Sequence, residues 1–93
     1  VIKSFADRDS EELWVTGRSR RVPGEIRQRA LVKLQLIDAA FELAFLSVPP
    51  GNRLEVLRGD RRGQHSIRIN DRWRICFRWT GTDAEQVEIV DYH

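Results

Sequence analysis

Arg53-Leu54-Glu55-Val56-Leu57-Arg58, Gly59-Asp60-Arg61-Arg62-Gly63, Gln64-His65-Ser66-Ile67-Arg68-Ile69, Asn70-Asp71, Arg72-Trp73-Arg74-Ile75-Cys76-Phe77-Arg78-Trp79 is the stretch that decides the fold. Apolar and polar residues alternate through most of it. In its last run Trp73, Ile75, Phe77 and Trp79 point one way, and Arg74, Cys76 and Arg78 point the other. A period of two is the signature of strands with one buried face. Leu54 and Val56 are expected inward, with Glu55 opposite them. Gly59 to Gly63 reads as a turn, and Asn70-Asp71 as a tight hairpin tolerant of left-handed backbone. Thr80 to Glu85 is a looser turn. Gln86 to Val90 is the last strand, with Val87 and Ile89 inward.

Upstream, Val1 to Phe5 is a short strand candidate with Ile2 and Phe5 inward. Asp7 and Asp9-Ser10 offer helix N-caps, because their side-chain oxygens accept orphan backbone N–H groups. Glu11 and Glu12 suit the positive end of the helix dipole. Leu13 and Trp14 give that helix a small apolar face, and Gly17 ends it. Pro23 fits the first turn of a second helix. There Ile26, Ala30, Leu34, Ile37 and Phe41 recur at steps of three and four, with Leu31 beside them, which lays one face on a sheet. Arg27, Arg29, Lys33, Gln35 and Asp38 are expected toward solvent. Periodicity does not decide Leu43 to Leu46. Ser47 to Gly51 is a linker, since paired prolines cannot continue a helix. The order is strand, two helices, four strands: an α+β fold with helices on one side of a mostly antiparallel sheet.

The 93 residues suit one domain over 1–93, and 41% hydrophobic content is enough for a core. Net charge is only +2, yet Arg53 to Arg78 holds eight arginines against Glu55, Asp60 and Asp71, a local excess of five. A basic stripe on a near-neutral chain suggests a phosphate-bearing partner. The single cysteine, Cys76, fits a reducing compartment. No apolar run reaches the length of a membrane span, and charges from Lys3 onward argue against a signal peptide. A cytoplasmic protein without membrane contact is expected.

The candidate chemistry lies on the arginine face and at the last three residues. Guanidinium stays charged, so Arg58, Arg68, Arg74 and Arg78 can hold a phosphate but cannot act as base; the alternative is solvated strand positions with salt bridges. An imidazole near neutrality suits His93 to proton transfer, against a frayed tail. His65, mid-strand, suits a surface or packing role rather than catalysis. Tyr92 can stack on a base or close the core edge. Asp91 can orient His93, accept a proton, or pair with Arg74. Glu55 is a base or a counter-ion for Arg74. Cys76 and the two histidines give no metal-ligand spacing, so no metal or cofactor is expected. No glycine-rich loop precedes a helix.

Val1-Ile2-Lys3-Ser4-Phe5, Arg58-Gly59-Asp60-Arg61, Ser66-Ile67-Arg68-Ile69-Asn70, Trp73-Arg74-Ile75 and Asp91-Tyr92-His93 resemble the HigB toxins of the RelE/ParE superfamily. Pro49-Pro50-Gly51-Asn52-Arg53-Leu54-Glu55 is similar to its GraT-like branch. The resemblance spans nearly the whole chain and is weakest in the middle helices. It implies a RelE-like fold and a type II toxin that cuts mRNA on the translating ribosome, inhibiting translation. It also implies a HigA-like helix-turn-helix antitoxin, through which alone operator DNA is met.

Carried over, the terminal catalytic triplet falls on Asp91, Tyr92 and His93, and the strand arginine on Arg74. Arg58 takes the basic position before Gly-Asp-Arg, with Arg68, Arg61 and Arg78 as further RNA contacts. Where some members place a functional histidine, this chain has Glu55, a departure that bears on the identity of the base. Two rival readings use the same arginine face: a non-catalytic nucleic-acid-binding or co-repressor module, and a ParE-like topoisomerase inhibitor.

Overall fold

The structure, a computed structural model, describes residues 1–92. Two helices are followed by four strands. Helix α1 spans Arg8–Thr16 and α2 spans Gly24–Ala39. Strands β1 (Glu55–Val56), β2 (His65–Arg68), β3 (Trp73–Trp79) and β4 (Ala84–Asp91) pair in that order, each antiparallel to the next. Ile2 and Phe5 make isolated parallel bridges to Ala84 and Val87. The expected first strand is therefore a pair of touch points along the outer edge of β4.

The caps of α1 form locally. Asp7 accepts a hydrogen bond from the Ser10 amide at 2.6 Å, and Gly17 closes the helix in left-handed backbone at φ 79°. Arg21 ties this helix to the sheet: it donates to the Ile89 carbonyl at 2.6 Å and pairs with Asp7 at 3.1 Å. Helix α2 lays Ile26, Ala30, Leu34 and Ile37 on the sheet. They meet Ile67, Ile75, Phe77, Val87 and Ile89, all without exposure. Each such aliphatic or aromatic side chain contributes about 1.5–3 kcal/mol on burial.

Several expectations are corrected. Phe41 lies beyond the end of α2 and is 76% exposed, because the helix stops before another turn can bring it round. Arg27, Lys33 and Asp38 are not free in solvent. Arg27 donates to the Val22 and Ser19 carbonyls, Lys33 donates to the Asn52 side chain, and Asp38 accepts from the Ile2 amide. Val56 is exposed while Leu57 is buried, since β1 ends after two residues and the alternation breaks there. Leu43–Ser47 and Pro50–Asn52 are 3-10 turns.

The hairpin at Asn70 needs no left-handed backbone. Its side-chain oxygen accepts from the Arg72 and Trp73 amides and closes the turn itself. Strand β4 begins at Ala84, inside the segment read as a turn. It carries a bulge at Gln86 (φ 52°) opposite the Cys76/Arg78 step, with the Gln86 amide donating to Ser4 Oγ.

The sheet's second face is also less open than its alternation suggests. Cys76 has no exposure and Arg74 only 8%. Arg61, from the turn after β1, reaches Glu88 and Gln64 at 3.1 Å each across this face. No helix among the described residues is long and apolar enough to cross a membrane.

Candidate functional site

Strand register sets the site. On the second face, pairing aligns Glu55, Ser66, Cys76 and Glu88 in one row, and Arg68, Arg74 and Val90 in the next. At the end of the sheet where β1 gives out, Arg53, Glu55, Arg68, Asn70, Asp71, Arg74 and Tyr92 line an open cleft of about 340 Å³.

Arg74 is its buried centre. Its Nε donates to Ser66 Oγ at 2.8 Å, and its Nη2 donates to the Arg53 carbonyl at 2.6 Å and the Ser66 carbonyl at 3.3 Å. Its Nη1 faces Glu55 Oε1 across 3.7 Å, longer than a hydrogen bond. The guanidinium is thus locked on two sides, and Nη1 keeps donors for an incoming anion. Arg53 adds a second cation from an exposed position. Arg68 is drawn into an ion pair with the exposed Asp71.

The last strand brings Tyr92 to the cleft wall, 40% exposed, with its amide donating to the Arg72 carbonyl. Asp91 pairs in register with Trp73, on the helix side of the sheet. Its carboxylate is gripped by Arg72, at 3.2 Å from Nε and 2.7 Å from Nη2. Arg72, not Arg74, is the arginine it pairs with. His93, the expected proton carrier, lies outside the described residues.

Of the other expected contacts, Arg58, Arg61 and Arg78 do not line the cleft. Arg58 is exposed beyond β1, and Arg61 is committed to Glu88. Arg78 lies against Gly63, where a Cβ would come within 2.8 Å of its Nη1. Arg53, Asn70 and Asp71 were not anticipated as wall residues; the clue for Arg53 is its place directly before Leu54-Glu55.

His65 stacks on Phe77, ring centroids 6.2 Å apart, and burial holds its pKa below the ordinary value. Burial pushes the Cys76 thiol up, which leaves it a poor nucleophile. Among the described residues, no group of three or more His, Cys, Asp or Glu is placed to hold a metal ion. The arrangement suits binding of a phosphodiester, with a carboxylate and an aromatic ring beside it.

A family model described as the RelE-like toxin of the type II toxin–antitoxin system HigB matches residues 3–93. The chain is 42% identical over 76 residues to the protein named Toxin HigB-1 in Vibrio cholerae serotype O1, covering 81% of this chain and 80% of that one. It is 36% identical over 93 residues to Endoribonuclease HigB of Proteus vulgaris, covering both in full.

Proposed function

The chain belongs to the HigB-like family of type II toxins, and from that premise we propose that it is an endoribonuclease that cuts mRNA on the translating ribosome. The observation that carries this reading is the locked Arg74 guanidinium, with donors left over, in a cleft walled by Glu55 and Tyr92. The name of the Proteus vulgaris relative, an endoribonuclease, supports the same reaction.

RNA carries its own nucleophile, the 2′-hydroxyl. Its oxygen attacks the adjacent phosphorus as its proton passes to a base, and the 5′-oxygen leaves with a proton from an acid. In this reading Arg74 and Arg53 hold the phosphate and stabilise the charge that builds on it. One such positioned donor is worth about a hundred- to a thousandfold. Glu55 takes the 2′-proton and His93 protonates the leaving oxygen. Asp91, fixed by Arg72, anchors the end of β4 and orients His93. Tyr92 stacks on a nucleotide, a contact worth about 1–3 kcal/mol.

The ribosome supplies substrate alignment, a large entropic contribution. Membership of a type II family implies an antitoxin partner; we propose a HigA-like helix-turn-helix protein that also carries the complex to operator DNA. The site of action is then the cytoplasm. The test compares free RNA with the same RNA on programmed ribosomes. The reading expects cleavage only of the ribosome-bound message; no cleavage of either would overturn it.

A further inference from the structure

We propose that Asn52, braced by Lys33, is a positioning residue for the cleft: it sets the backbone of Arg53, whose carbonyl in turn fixes the Arg74 guanidinium. The consequence for catalysis rests on the cleft being the phosphate site; the relay itself does not.

Asn52 is a polar residue with no solvent exposure, and both ends of its amide are used. Nδ2 donates to the Leu46 carbonyl at 3.0 Å, and Oδ1 accepts from Lys33 Nζ. Its own backbone amide donates to the Pro49 carbonyl at 2.9 Å. A buried amide so satisfied resists displacement, because any shift leaves a donor or acceptor unpaired. The 3-10 turn Pro50–Asn52 is therefore pinned from the preceding turn and from α2 together.

The next residue shows what the pinning achieves. Arg53 sits in left-handed backbone, φ 45° and ψ 58°, a conformation costly for a residue with a Cβ. Such a conformation persists only where the surroundings over-determine it. Here it turns the Arg53 carbonyl onto Arg74 Nη2 at 2.6 Å while the Arg53 side chain joins the cleft wall. With extended or right-handed backbone the carbonyl would point elsewhere, and Arg74 Nη2 would keep only the Ser66 carbonyl. Lys33 projects from α2, so the chain of contacts joins the helical layer to the centre of the sheet.

The test is the rate of guanidinium rotation at Arg74, read by ¹⁵N NMR on the intact chain without RNA. In wild type the rotation is arrested by the bonds on two sides. Asn52→Ala is expected to speed it about tenfold, and Lys33→Met, which strips the brace alone, about threefold. Ile26→Val, a core change in the first turn of α2, two turns before Lys33, lowers stability and leaves the rotation unaltered.

In single turnover on programmed ribosomes, Asn52→Ala should lose about tenfold in the saturated cleavage rate with the half-saturating ribosome concentration little changed, since the phosphate still binds but is held less well. Unchanged rotation in a folded Asn52→Ala chain overturns the relay. Should that variant fail to fold, unchanged rotation in Lys33→Met does the same. Faster rotation together with normal cleavage by Arg74→Ala would uphold the relay and sink the assignment of the cleft.

Discussion

Arg74 is the second residue of β3, a strand of alternating character, and the alternation alone marks it as facing away from the helices. What alternation cannot convey is how deeply it sits. The groups that cover it come from Arg53, Glu55 and Ser66, eight to twenty-one residues earlier in the chain. His93, the other residue on which the sequence reading leaned, falls outside the described part of the chain. Of the surface and packing roles open to His65, its stacking on Phe77 favours packing.

His65 also carries a pH dependence. Burial lowers its pKa, so the fold favours the neutral ring. The stability it contributes is complete above the unfolded value of about 6.5 and is lost as pH falls through the lower folded value. Melting temperatures between pH 7.5 and 5 should therefore drop less in His65→Gln than in wild type. Parallel curves for the two proteins would exclude this residue as the source.

At the scale of elements, what is encoded locally was readable and what is encoded by distant pairing was not. Asp7, through its side-chain oxygen, and Gly17, through its freedom at positive φ, bound α1 where local chemistry places them. The apolar positions Ile26, Ala30, Leu34 and Ile37 gave the buried stripe of α2, but not its end short of Phe41. The bulge at Gln86 and the early start of β4 depend on pairing with β3 and with Val1 to Phe5, so no local signal announces them.

Glycine 17 supplies the cleanest test at this scale. Open space surrounds it, so Gly17→Ala meets only the backbone penalty of left-handed φ. A loss of about 1 kcal/mol, or roughly 4–8 °C in melting temperature, is expected. An unchanged melting temperature would mean that the cap contributes nothing.

For the whole molecule, the decisive feature is the division of labour between the two faces of one sheet. The helices close one face into an apolar core, and the other carries the charged groups. The arginine excess from Arg53 to Arg78 pointed to this division, yet it overstated how many cations are available. Arg61, Arg68 and Arg72 are each paired with a carboxylate. Arg53, and Arg74 with its longer 3.7 Å contact to Glu55, remain the principal cations in the cleft.

Binding to programmed ribosomes should weaken linearly with the logarithm of salt concentration. Each single-strand phosphate neutralised contributes about 0.7 to the slope. Arg53→Ala should flatten the slope by about that amount, and an unaltered slope would remove Arg53 from the RNA contact.

The most direct measurement of the central claim is single-turnover cleavage of ribosome-bound mRNA by Arg74→Ala, with folding verified alongside. If the locked guanidinium holds the reacting phosphate, the rate falls about a hundredfold or more while the message still binds. A folded Arg74→Ala chain that cuts at close to the wild-type rate would place the chemistry elsewhere.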